Sequence, residues 1–458
     1  MLNPDLAEKI LDYGMSHGGD FVEIFMEDTR QTNLTMLGDE LIRSSVGKLA
    51  GIGIRVFRNM ESIYFHTENE SEAHIFALMK KLLNTGKVYK RSPLGERIDY
   101  APNGQVRLPV KFGIKEQLSL LNRCNQAGIR AVECIFQMRT NYVDMDQKVQ
   151  IINTEGVNVS DRRIKTRLHI TAYAKDGDMI QSSYIGPGAM GGFEFYEMIN
   201  AEEYAVRVAR EAKAMLPARP CPTGRLPVVI ANGFGGLLFH EACGHSLEAA
   251  GMLDGASEFS GRIGQKVAPA KVTLIDDGSI PGEWGSLMID DEGNETRKNV
   301  LIDKGILQGC LSDRLSARRM GTTVTGSGRR ENYQYPPVSR MTNTFIAAGD
   351  DRPEDMIASI EKGIYVKNIN GGSVNTATGQ FNFNTMGTYL IEQGEITVPV
   401  HSATLIGTGS EILQKIEMVG SDFKLGQGYC FAGSGTVYVG AGQPTVKIRE
   451  MTVGGEQV

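Results

Sequence analysis

The residues best placed to do chemistry are gathered in His240-Glu241-Ala242-Cys243-Gly244-His245. Two neutral imidazoles can hold a transition metal, and a carboxylate beside the first can take a proton from water, which is the division of labour in zincin-type hydrolases. In those sites the histidines stand four apart on one helical face; here they stand five apart. At about 100° per residue, positions five apart on a regular helix lie roughly 140° apart around the axis, too far to share one small ion. A π-type turn, at roughly 82° per residue, brings them within about 50°, and Gly244 lowers the cost of that distortion. The spacing therefore predicts a bulged or broken helix between Glu241 and His245.

A catalytic zinc site takes three protein ligands and keeps one position open. Spacing nominates Glu248, His401 and Cys430 for the third place without choosing among them. Glu248, one turn beyond His245, could instead orient that imidazole from outside the ligand set. Cys243 reads equally well as a small buried apolar group. Arg329 and Arg330 could hold a substrate carboxylate, although such pairs more often anchor a loop through structural ion pairs. The lone Trp284, close to Gly282 and Gly285, reads as packing.

Several kinds of element must position these groups. Asn3 and Pro4 start a helix with Leu6, Ile10 and Leu11 on one stripe and Gly18 beyond its end. Segments 21–26, 32–36, 49–57 and 62–66 read as strands and 72–83 as a helix. The stretch 87–110, rich in charge, proline and glycine, reads as a linker. The pattern then recurs, with a helix over 114–126, strands over 131–138, 149–153, 167–174 and 179–184, and a helix over 202–215, which suggests a structural duplication. Beyond Pro222 come a short strand, 228–230, a helix over 232–251 that carries the histidine motif, and then strands with glycine-rich turns. Hairpins are expected at Asp303-Lys304-Gly305 and Gln393-Gly394. The expected architecture is α+β, with regions 1–110 and 111–222 of helix and antiparallel meander, followed by a glycine-rich, mostly antiparallel β domain over 223–458 that bears the motif helix.

Composition narrows the function. The 458 residues include 48 basic and 54 acidic ones, a formal charge of -6, so no whole-chain field attracts nucleic acid or anionic lipid. Glycine, at 54 residues, is about 12% against a usual share of about 7%, and implies many turns and bulges. No run of 18 apolar residues occurs, and Met1–Tyr13 carries acids instead of a basic, apolar leader, so a cytoplasmic location is expected. Six scattered cysteines fit a reducing compartment. Phosphate-loop, dinucleotide and G-x-S-x-G patterns are missing, so nucleotide and serine-hydrolase chemistry have no support.

His240–Glu248 (HEACGHSLE), Asp290-Asp-Glu-Gly293, Leu315–Gly321, Thr325–Glu331, Arg340-Met-Thr-Asn-Thr344, Ala403–Gly409, Met418-Val-Gly420 and Gly442-Gln-Pro444 resemble, in order, the TldD branch of the TldD/PmbA metallopeptidase family. The strong match runs from about Pro227 to the C-terminus. The resemblance implies a metallopeptidase acting on unfolded or extended peptides, with His240, His245 and Cys430 as ligands of one metal ion and Glu241 as general base. Two imidazoles and a thiolate suit zinc, and iron(II) also accepts them. It further implies a dimer, with a homologous PmbA-like subunit or with itself. The family also carries a DNA gyrase modulator label, so a non-catalytic peptide-binding or regulatory subunit is the rival expectation. The acidic balance speaks against direct DNA binding, and the intact metal motif against an inactive subunit.

Overall fold

The computed structural model describes residues 2–83, 86–101 and 113–455; part of the expected linker, 102–110, lies outside them. Helix α1 (Pro4–Ser16) starts as expected: the Asn3 side chain accepts the Asp5 N–H and Pro4 sits in the first turn. Its buried stripe, Ala7, Ile10, Leu11 and Met15, shares a core with α2 (Glu72–Leu82) and with Val22, Ile24, Ile52 and Ile54.

Strands β1 (Phe21–Leu37), β2 (Glu40–Arg58) and β3 (Glu61–Thr67) form a meander. The short β4 (Ile98–Tyr100) precedes α3 (Ile114–Ala131). A second meander follows, of β5 (Ile135–Asn153), β6 (Asn158–Asp176) and β7 (Met179–Ile185), with β8 (Gly188–Met190) returning to β6. A short α4 (Phe195–Met198) and then α5 (Ala201–Ala214) close the stretch. The first strands of the two meanders, β1 and β5, pair antiparallel from Glu23↔Asn153 to Leu37↔Arg139. The two stretches thus join through the middle of one eight-stranded sheet, in the order β3-β2-β1-β5-β6 with β4, β7 and β8 on β6.

The expected pair 21–26 and 32–36 lies within the single strand β1, and 135–138 and 149–153 within β5, which run for 17 and 19 residues; 131–134, expected as strand, instead hold the last residue of α3 and the turn after it, because that helix runs on past Gln126 to Ala131. Of the polar residues that interrupt the apolar pattern, Asp28, Arg30, Gln31 and Lys148 stay exposed and the antiparallel ladder runs on through them, while Glu27 is buried and accepts from the Tyr333 N–H and the Gln147 amide. Arg55 on β2 joins Glu23 on β1 to Glu292, and Arg330 reaches back to the same Glu23 at 2.6 Å. Arg163 on β6 pairs with Asp161 and Asp291. Lys165 donates to the carbonyls of Trp284 and Ser286. Arg55, Arg163, Lys165 and Arg330 are each buried and partnered, the condition under which a charge is tolerated inside a protein. Arg330 is therefore an anchor, and Arg329, which donates to the Met341 carbonyl, is another.

From Gly224 onward the chain is mostly antiparallel β. Strands Lys362–Val374, Gly224–Ile230, Val446–Gly455, Ala403–Thr408 and Gln380–Glu392 pair in that order, and the last also pairs with the first, closing a ring. A second sheet runs Ile306–Leu307, Lys298–Asp303, Leu274–Asp277, Asn343–Ile346, Gly435–Gln443 and Lys424–Ala432. Both expected hairpins form, with left-handed backbone at Lys304 and Gly305 (φ 45° and 83°) and at Gln393 and Gly394 (φ 52° and 82°). These are the conformations that a two-residue turn with twist-matched strands requires. The main core collects Val228, Ile230, Ile364, Val366 and Leu405 around Leu238, Phe239, Ala242, Cys243 and Leu247, so the histidine motif runs through the hydrophobic centre of this region.

Replacing Arg55 with Met should destabilise the chain by about 3–5 kcal/mol, because it strands the buried Glu292 carboxylate. The denaturant midpoint reads this directly; a shift equivalent to less than about 1 kcal/mol would show that the ion pair does not hold the sheet to the C-terminal region.

Candidate metal centre

The expected helix over 232–251 is not continuous. Phe234–Gly236 is a 3₁₀ turn, Leu237–Phe239 one α turn, His240–Gly244 a π turn and His245–Leu247 another 3₁₀ turn. Glu248 is extended (φ -83°, ψ 132°), and Ala249–Leu253 resumes as α-helix. The π turn falls across the interval that the five-residue spacing requires, and it brings the two imidazoles to 5.3 Å between ring centres, edge to face. Gly244 keeps ordinary helical angles (φ -60°, ψ -50°), so the turn does not draw on glycine's conformational freedom; the glycine is required by space, since a Cβ there would lie 2.1 Å from Sδ of the buried Met341. Gly409 has the same role on the other side, where a Cβ would lie 2.0 Å from the Ala242 carbonyl oxygen. The wide turn is held between closely packed neighbours.

Of the three nominees for the third position, Cys430 reaches the histidines. It lies on Lys424–Ala432, opposite Val437 in the antiparallel pair with Gly435–Gln443. Its Sγ is 3.1 Å from His245 Nε2, and ligand atoms of His240, His245 and Cys430 all lie within 4.8 Å of one another. His401 lies outside that group, between the strand Glu395–Val400 and the ring strand Ala403–Thr408, where its backbone N–H donates to the Arg219 carbonyl. Glu248 sits behind His245, its Oε1 3.2 Å from Nδ1, while Nε2 faces Cys430. Cys243 points into the core instead, its thiol toward the Gly409 carbonyl, and burial followed by the nearby Glu258 pushes its pKa well up, so it stays a neutral thiol. A cavity of about 780 Å³ lies elsewhere, lined by Tyr429 and Phe431 among others; these flank Cys430 on the strand and so project to its opposite face.

The donor set fits a metal. His240 is completely buried, and neither of its ring nitrogens has a hydrogen-bond partner among the described residues. An unsatisfied imidazole in a protein interior costs about 1–3 kcal/mol for each polar group left alone, unless something binds it. Burial, reinforced by His245, Arg340 and Arg329, holds its pKa well below the usual histidine value, which keeps it in the neutral form that ligates. Burial alone would depress His245 too, but Glu248 and Cys430 outweigh it and push that pKa well up. This pair of acidic partners marks a position where positive charge is favoured.

Glu241 stands at the edge of the group, its Oε2 3.5 Å from His245 Nε2, with its side chain 23% exposed while the three candidate ligands are buried. Burial raises its pKa above the usual carboxylate value against the opposing pull of His245. A carboxylate so placed can exchange protons with whatever occupies the centre. The arrangement thus holds two imidazoles, one thiol and one carboxylate that is not itself in the ligand group.

Sequence reasoning did not give a role to Arg340. It is completely buried beside this centre, 3.9 Å from Glu248, and its position 92 residues beyond that glutamate carries no spacing signal.

Three models of the PmbA/TldA metallopeptidase family match the chain: domain 1 over residues 22–84, the central domain over 108–216 and the C-terminal domain over 223–455. A metalloprotease TldD homolog of Haemophilus influenzae is 43% identical over 348 residues, covering 74% of this chain and 72% of that protein. A metalloprotease of Methanothermobacter thermautotrophicus is 33% identical over 439 residues, covering 95% of this chain and 96% of its own. Among solved structures, a candidate modulator of a DNA gyrase from Thermotoga maritima superposes with a TM-score of 0.80 at 22% identity, over 98% of this chain and 99% of that one. TldE from Thermococcus kodakarensis gives 0.77 at 19% identity, over 98% and 100%. At these identities the two structures establish the fold alone.

Equilibrium dialysis against zinc should find one ion per chain, weakened by more than about 100-fold in Cys430→Ala and unchanged within about threefold in Cys243→Ala. Equal losses in the two variants would mean that sulfur matters here only through packing.

Proposed function

This chain belongs to the TldD/PmbA metallopeptidase family, and from that premise we propose that it hydrolyses peptide bonds in unfolded or extended peptides at the His240–His245–Cys430 centre. The observation that carries the reading is the convergence of these three side chains, with both ring nitrogens of the buried His240 left without hydrogen-bond partners among the described residues. His240, His245 and Cys430 would hold one divalent ion, with zinc the best match to two imidazoles and a thiolate and iron(II) the next. Such an ion polarises a peptide carbonyl and makes water a stronger acid.

The chain's own residues do the rest. Glu248 faces Nδ1 of His245 and keeps its Nε2 turned to the centre. The hydrophobic core around Leu238, Phe239 and Leu247 keeps bulk water away from the ligands, which strengthens every electrostatic interaction among them. Glu241, at the open edge, takes the proton of the attacking water on its carboxylate and delivers it to the leaving amine nitrogen. A centre with three protein ligands and a free carboxylate suits turnover better than a purely structural ion, which would call for a fourth protein ligand.

We further propose that the chain works as a dimer, with a homologous subunit of the PmbA or TldE kind or with a second copy of itself; the likeness of its fold to TldE supports a common architecture for such subunits. The rival reading, a regulatory subunit without catalysis, leaves the orphaned His240 and the free Glu241 without a task. No helix among the described residues is long and apolar enough to cross a membrane.

Glu241→Gln should keep its metal and lose hydrolysis of a denatured-protein peptide pool by about 10²–10⁴-fold. Loss of the ion along with activity would show that Glu241 is a ligand, and full activity would remove it from the mechanism.

A further inference from the structure

Arg340 lies between the strands Val338–Ser339 and Asn343–Ile346, next to the Met341 that packs on Gly244. It is completely buried, and its backbone N–H is fixed on the Ser327 carbonyl. One terminal nitrogen, Nη1, donates to Ser434 Oγ and to the Gly435 carbonyl, both at 3.0 Å. These two acceptors belong to the turn that joins the Cys430 strand to its partner. The Nε edge of the same guanidinium lies 3.9 Å from Glu248 Oε1, the oxygen that faces His245 Nδ1. Nε and Nη2 have no hydrogen-bond partner among the described residues. Desolvating a cation this fully costs several kcal/mol, and a core of this kind could have held an apolar side chain instead.

We propose that Arg340 is a positioning residue of the metal centre: it is hydrogen-bonded to the hairpin that carries Cys430, and its charge, 3.9 Å from Glu248, holds that carboxylate in place against His245. The inference rests on the metal reading above. The two halves of the ligand set come from segments 185 residues apart, counted from His245 to Cys430, and are joined by no backbone ladder of their own. Arg340 touches the supporting groups of both. Its Nη1 grips the hairpin through two hydrogen bonds, and its charge, which no change of pH in the working range removes, acts on Glu248 from the other edge. Its charge also balances Glu248, so that this carboxylate can face His245 without leaving the buried site over-negative.

The test is metal affinity measured by chelator competition with zinc and with cobalt(II), whose absorption reports thiolate ligation. Arg340→Met and Glu248→Gln should each weaken binding by about 10–100-fold, the range seen when an outer partner of a ligating histidine is removed. The double variant should be no weaker than the worse single one, because both changes break the same linkage. Ser434→Ala, which removes one anchor without adding volume, should act in the same direction by about 2–10-fold and carries the test if Arg340→Met does not fold. Additive losses in the double variant would overturn the proposal, as would unchanged affinity in Arg340→Met or, if that variant does not fold, in Ser434→Ala. Wild-type chain that takes up neither metal would overturn the metal reading and this inference together, so the two failures can be told apart.

Discussion

Two imidazoles five residues apart can meet one ion only if the backbone between them turns more widely than an α-helix. The π turn over His240–Gly244 meets that requirement, and much of the C-terminal region is arranged to hold it. A wide turn wastes hydrogen bonds and opens space, so it persists only where packing fixes it. Here Leu238, Phe239, Ala242, Cys243 and Leu247 bury its flanks in the main core, while Met341 and Gly409 press on it from outside. The closed ring of strands supplies one wall of that core, and the second sheet brings Cys430 to the other side.

The N-terminal sheet serves the same end at longer range. Its central strands carry charged residues on a face that would otherwise be apolar or solvent-exposed, and these meet the loops 284–292 and 330–333 through Arg55, Arg163, Lys165 and Arg330. The second of these loops precedes Arg340 in the chain by a few residues, and Arg340 in turn lies 3.9 Å from Glu248 and is hydrogen-bonded to the Cys430 hairpin. A buried ion-pair network has fixed geometry because each broken pair leaves a desolvated charge. The linkage from the first sheet to the His240–His245–Cys430 group is therefore built of stiff parts.

Much of this was legible in the chain's residues, and the remainder was not for identifiable reasons. Helix Pro4–Ser16 shows in its cap and stripe, and the Lys304-Gly305 and Gln393-Gly394 turns in their glycines. The distortion of the motif helix followed from the angle between positions 240 and 245. Its full extent did not, because extended Glu248 and the 3₁₀ turns on either side are imposed by tertiary contacts that leave no local signature. The length of β1 and β5 was hidden because Asp28, Arg30, Gln31 and Lys148 look like strand breaks, although the ladder between the two strands runs on through them with their side chains exposed. The choice of Cys430 over His401 was likewise invisible to spacing, since both arrive from distant strands. Family resemblance singled out Cys430, and its place beside His245 is a matter of strand register.

The most direct measurement is X-ray absorption at the edge of the metal bound to the purified chain. With His240, His245 and Cys430 as ligands, the first shell should contain one sulfur at about 2.3 Å and two imidazole nitrogens at about 2.0–2.1 Å, with room for one light scatterer from solvent. A shell without sulfur, or one filled by four protein ligands, would contradict the account.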